Sequence, residues 1–94
     1  VIESFASEET EKIFRGELSR KLPPDIQRTA RRKLIYLDDA DSLQDLQVVP
    51  GHRFEKLKGD RAGQYSIRIN DQWRICFEWV DNKARKVEIT DYHS

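Results

Sequence analysis

The stretch Tyr65-Ser66-Ile67-Arg68-Ile69-Asn70-Asp71-Gln72-Trp73-Arg74-Ile75-Cys76-Phe77-Glu78-Trp79-Val80 decides how this chain folds. On both sides of Asn70-Asp71-Gln72 the apolar residues recur at every second position, the period of a strand with one face in a core. Tyr65, Ile67 and Ile69 alternate with Gln64, Ser66 and Arg68, and Trp73, Ile75, Phe77 and Trp79 alternate with Arg74, Cys76 and Glu78. Val87 and Ile89 alternate in the same way with Lys86, Glu88 and Thr90. In all three segments the odd positions are the more apolar. They are expected to face helices, leaving the even positions on an open face.

Upstream of Pro50-Gly51 the period is helical. Ser7 is a plausible N-cap, followed by Glu8, Glu9 and Glu11 at the positive end of a helix dipole. Ile13, Phe14 and Leu18 supply an apolar stripe, with Gly16 as a weak interior position. Pro23-Pro24 restarts the chain in a second helix, in which Ile26, Ala30, Leu34 and Leu37 recur at helical spacing. Asp38 to Asp45 reads as a helix end and an irregular turn, and Val1–Phe5 as a short strand. The class is α+β: an N-terminal strand and two helices packed on one face of a twisted antiparallel sheet.

Ninety-four residues make one domain, 1–94, with no repeat or linker. The 17 Lys and Arg cancel the 17 Asp and Glu, so total charge points to neither nucleic acid nor membrane. No apolar run approaches the ~18 residues of a span, and no stretch is patterned as a secretory signal. Cys76 is alone, which excludes an internal disulfide, and with His52 and His93 as the only histidines no metal site or cofactor is expected. This composition fits a reducing cytoplasm.

Register adds chemistry to this outline. Placing Ile69, Ile67 and Tyr65 beside Trp73, Ile75 and Phe77 sets Arg68 directly opposite Arg74 on the open face. Two opposed guanidinium forks suit phosphate oxygens; the alternative is that they splay into solvent or pair with acids from elsewhere. Pairing Phe77 with Val87 sets Glu78 opposite Lys86 and brings Tyr92 near Arg74. Pairing Leu57 with Tyr65 puts Lys56 and Lys58 on the open face, and Phe54 opposite Arg68, to stack on a base or to pack. Lys56, Lys58, Arg68, Arg74 and Tyr92 then form a footprint for an anionic polymer, with Arg53 close by. On such a face, truncating Arg74 would change stability by no more than about 0.5 kcal/mol.

Leu57-Lys58-Gly59-Asp60, Gly63, Tyr65-Ser66-Ile67-Arg68, Trp73-Arg74-Ile75 and Asp91-Tyr92-His93 resemble the HigB-type toxins of the RelE superfamily, in order and spacing. The resemblance implies a small RelE-like domain acting as a bacterial toxin that cleaves messenger RNA in the ribosomal A site. It implies a HigA-type helix-turn-helix antitoxin as partner, with operator DNA reached only through that antitoxin. The implied chemistry is metal-free: the ribose 2′-hydroxyl attacks the adjacent phosphate, leaving a cyclic phosphate and a free 5′-hydroxyl.

Carried over by position, Lys58 contacts phosphate, Arg74 stabilises the transition state, and Asp91, Tyr92 and His93 form the functional C-terminal motif. His93, with a reference pKa near ~6.5, is the proton-transfer group. The chain departs from the family at Glu55, where many members carry histidine. Simple alternation turns Glu55 toward the helices, and His52 is the other candidate base. Lys56, Arg68, Phe54 and Arg53 are the remaining RNA-binding candidates. A second function class stays open: a ParE-like toxin acting on DNA gyrase without cutting nucleic acid. A small non-catalytic RNA- or protein-binding domain is the third.

Overall fold

The computed structural model describes residues 1–91. The sheet holds β1 (Glu55–Lys56), β2 (Gln64–Arg68), β3 (Trp73–Val80) and β4 (Lys83–Asp91) in the order β1-β2-β3-β4, every pair antiparallel. Helices α1 (Glu8–Phe14), α2 (Pro24–Asp39) and α3 (Leu43–Gln47) precede it. The class read from periodicity is the observed one, α+β with helices over one side of a meander.

The β2–β3 register is the expected one, with Tyr65 opposite Phe77, Ile67 opposite Ile75 and Arg68 opposite Arg74. Asn70 sets its loop, accepting from the backbone N–H of Gln72 at 2.9 Å and of Trp73 at 2.8 Å. Between β3 and β4, Ile75 pairs with Ile89 and Cys76 with Glu88, also as expected, but the ladder shifts before Glu78, which stands opposite Arg85. Lys86, at φ 53°, lies at this bulge, and its Nζ still reaches the Glu78 carboxylate at 3.7 Å. Asp81 and Asn82, at φ 54° and 61°, close the two-residue hairpin loop.

Ile26, Ala30, Leu34 and Leu37 of α2 are buried against Ile67, Ile75, Phe77 and Val87. Ser7 caps α1, accepting from the Thr10 N–H at 3.3 Å. Helix α1 ends earlier than its apolar stripe suggests. Gly16 takes φ 85°, its N–H bonds the Ile13 carbonyl at 3.0 Å, and the Glu17 N–H bonds that of Lys12 at 2.9 Å. That turn leaves Leu18 outside the helix and 86% exposed. The expected irregular turn after α2 contains α3, whose start is held by Asp45 accepting from the N–H groups of Asp41 and Ser42 at 2.9 and 3.2 Å.

The N-terminal segment runs parallel to β4, touching it at Ile2–Ala84 and Phe5–Val87 on either side of the bulge. The interruption at Lys86 makes this edge two bridges instead of one continuous strand. Among the described residues no helix is long and apolar enough to cross a membrane.

Candidate active face

The helix-free side of the sheet carries Ser66 and Arg68 from β2, Arg74, Cys76 and Glu78 from β3, and Glu88 and Thr90 from β4. It is not open. Ser66 and Cys76 are fully buried and Arg74 is 8% exposed. Two segments contribute to covering it: the backbone at Arg53, whose carbonyl accepts from Arg74, and the 3-10 turn Gly59–Arg61 that follows β1, through the Arg61 side chain.

Arg74 lies down along the sheet instead of rising from it. Its Nε donates to the Ser66 Oγ at 2.8 Å, and Nη2 to the Arg53 carbonyl at 2.6 Å. Arg53 itself takes φ 44°, an uncommon conformation for a side chain of its size, and its side chain is exposed. Arg68, opposite Arg74 across the strands, pairs with Asp71 in the hairpin loop. The like-charge clash implied by the register is thus relieved twice, by a hydrogen-bonded trough for one arginine and a carboxylate for the other.

Arg61 braces the same face. Its Nη1 donates to Gln64 at 2.9 Å, and its Nη2 to Glu88 at 3.0 Å and to Thr90 at 3.4 Å. This guanidinium joins the turn that carries Lys58 and Gly59 to β2 and β4. Nothing local in the sequence marks it, since Glu88 and Thr90 lie 27 and 29 residues away. Burial pushes the Cys76 thiol up from its usual pKa, so it is a packed side chain and not a nucleophile.

The β1–β2 register differs from expectation by one residue. Glu55 stands opposite Ser66 and Lys56 opposite Tyr65. With only two residues in β1, alternation pins it weakly, and the neighbouring aromatics set it. Phe54 stacks on Tyr65 at 5.4 Å on the helix side, while Leu57 remains 5% exposed. Two expectations change sign. Glu55 shares the face of Arg68 and Arg74 after all, with no bulge required. Lys56 and Phe54 belong to the other side, and Phe54 packs.

The basic footprint is correspondingly smaller, and acids are not sparse on the face, which carries Glu55, Glu78 and Glu88. Lys58 is exposed at the mouth of the Gly59–Arg61 turn. Asp91 ends β4 opposite Trp73, one residue past the row of Arg74 and Thr90, and accepts from the Gln72 side chain at 3.0 Å. Tyr92 and His93 lie outside the described residues. His52 is 3% exposed, its ring set edge-on to Tyr36 at 5.3 Å and its Nδ1 donating to the Leu46 carbonyl at 3.2 Å. Burial lowers its pKa below the usual value. It is a packed, neutral imidazole and leaves Glu55 as the described candidate base.

Among the described residues no three His, Cys, Asp or Glu side chains gather to hold a metal ion. The face presents a carboxylate, a fixed guanidinium and a second cation in adjacent rows. That arrangement can take a proton from a sugar hydroxyl and hold a phosphate whose charge is growing.

Comparison with known proteins identifies the family and the fold. The chain is 46% identical over 65 residues to Toxin HigB-1 of Vibrio cholerae, covering 69% of this chain and 68% of that one. It is 27% identical over 95 residues to the Endoribonuclease HigB of Proteus vulgaris, covering 99% and 100% of the two chains. Among solved structures, the YoeB-YefM complex from Staphylococcus aureus contains a chain of the same fold, with TM-score 0.61 and 20% identity, over 100% of this chain and 99% of that one. The family model described as the RelE-like toxin of type II toxin-antitoxin system HigB matches residues 3–93, and the chain accordingly belongs to the HigB-like toxins.

Proposed function

We propose that this protein is the toxin of a type II toxin–antitoxin pair and an endoribonuclease that cuts messenger RNA on the ribosome. The observation that carries the reading is the row arrangement of Glu55, Arg74 and Arg68 on one enclosed face, in a chain of the HigB-like family. A HigA-type antitoxin is the partner, operator DNA is reached through it, and the site of action is the cytoplasm.

In the proposed reaction the 2′-hydroxyl loses its proton to Glu55 and its oxygen attacks the adjacent phosphorus. The bond from phosphorus to the 5′-oxygen breaks as that oxygen takes a proton from His93. A 2′,3′-cyclic phosphate and a 5′-hydroxyl result, with no metal in the balance. Arg74, held by Ser66 and the Arg53 carbonyl, stabilises the crowded phosphorane, where an aimed donor is worth most. Arg68 and Lys58 hold the flanking phosphate charge, while Tyr92 and Asp91 position substrate and acid. The few cations on this face bind free RNA weakly, so the ribosome supplies the alignment, and affinity for ribosomes falls steeply with salt.

Primer extension on a translated message, with and without ribosomes, tests this reading. New 5′ ends confined to reactions with ribosomes are expected. Intact message with stalled DNA replication would replace the reading with a gyrase poison, and rapid cutting of naked RNA at physiological salt would remove the ribosome from it.

A further inference from the structure

A second cluster of cations lies beside the candidate active face and shares only Arg68 with the chemistry above. Arg32, Lys33 and Tyr36 of α2, the turn Val49-Pro50-Gly51-His52 and Arg68 line a cleft of about 330 Å³. Three of these residues are cationic, and no carboxylate is among them. Asp71 pairs with Arg68 from the hairpin loop, where its side chain is 98% exposed.

The positive charge is concentrated there by the fold. Lys33 Nζ donates to the Arg68 carbonyl, and the Arg68 N–H donates to the His52 carbonyl at 2.6 Å, so helix, turn and strand are tied together. Burial lowers the Lys33 pKa, and the positive charges of Arg32, Arg68 and Arg74 lower it further. Tyr36 supplies an aromatic surface. It is 41% exposed, and its ring is held at 88° to the buried His52 ring.

We propose that this cleft is a subsite for one nucleotide of the bound message, next to the nucleotide that is cut. Arg32 and Arg68 take its phosphate, and its base lies on Tyr36 beside Val49 and Pro50. This rests on the endoribonuclease reading and extends it along the strand. Arg68 belongs to both sites, lining the cleft while standing opposite Arg74, which makes the two sites continuous. The volume is at the small end of ligand clefts, ~300–1,000 Å³, and fits one nucleotide and not a folded segment. Phosphate held by arginine with a base stacked on an aromatic ring is the usual physics of single-strand recognition.

The test uses the whole protein on ribosomes programmed with message, at single turnover, over a series of protein and salt concentrations. Arg32→Ala and Tyr36→Leu should each raise the half-saturating concentration by about fivefold or more while leaving the saturated rate within about twofold. Arg32→Ala should also lower the slope of log affinity against log salt by about 0.7, the share of one single-strand phosphate, and Tyr36→Leu should not. A 5-iodouridine placed beside the scissile position of a non-cleavable 2′-O-methyl message should crosslink to Tyr36. Unchanged half-saturation in both variants, with wild-type cleavage intact, overturns the subsite and spares the proposed function. A crosslink mapping elsewhere on the protein places the neighbouring nucleotide outside the cleft and overturns it too. So does loss of antitoxin binding in Arg32→Glu without loss of message binding. Failure of the wild-type protein to cut any message overturns the proposed function itself.

Discussion

The two faces of the sheet are buried by different means. On the helix side, Ile67, Ile75, Phe77 and Val87 meet Leu34 and Leu37, and burial follows from apolar area alone. On the other side Ser66, Cys76 and Arg74 reach comparable burial with polar groups engaged around them, among them Arg61 and the backbone carbonyl of residue 53. Apolar packing tolerates small shifts because it is non-directional. A buried guanidinium does not, since each donor needs its acceptor in place. The second face is therefore stiff where it must be chemically accurate, and its stability and its activity draw on the same bonds.

The sharpest way to divide the faces is to remove chemistry without removing packing. Glu55→Gln keeps the shape of the side chain and should slow the single-turnover rate by about 10²–10⁴-fold, the usual contribution of a general base, without opening a cavity in the core. An undiminished rate would take Glu55 out of the mechanism. Leu34→Ala does the reverse. It opens a cavity under α2 and should cost about 2–5 kcal/mol in denaturant unfolding, while the rate per folded molecule stays the same.

Arg74→Ala tests whether the faces differ as described. If this side were solvated surface, the change would cost no more than about 0.5 kcal/mol. Enclosed as it is, truncation strands the Ser66 hydroxyl and the Arg53 carbonyl and should cost about 1–3 kcal/mol, together with loss of cleavage. A stable, inactive variant would restore the view of an open face.

A pH titration probes the seam between the helices and the cleft. The lowered pKa of His52 means that the folded protein binds its proton less readily than the unfolded chain. Its contribution is fully present above the ordinary value, about 6.5, and is lost as pH falls through the folded value. Stability should fall on acidification below that point, and His52→Gln should flatten that part of the profile; an identical acid limb would show that carboxylates account for it. The smallest effect belongs to Lys56→Ala, on the side away from Arg74. It should change stability by less than about 0.5 kcal/mol and leave the cleavage rate unchanged, and a rate loss would place Lys56 against RNA.

How much of this was legible in the sequence follows from the range of the forces involved. Period-2 alternation and a three-residue loop determined the β2–β3 register, hence the opposition of Arg68 and Arg74, because adjacent strands must match apolar face to apolar face. The α2 stripe, the Ser7 cap and the family likeness were legible for the same reason: each is written within a few residues or in the order of short motifs. The end of α1 at Gly16 and the bulge at Lys86 were not, since several local conformations suit the same residues and packing selects one. Only the tertiary structure decided that Glu55 joins the arginine face, that Arg74 is buried, that Arg61 braces the motif turn and that His52 is a packed, neutral ring. Each of these rests on polar contacts or aromatic stacking between segments distant in sequence. Such contacts are directional, and their partners can be named only once the chain has brought them within about 3 Å.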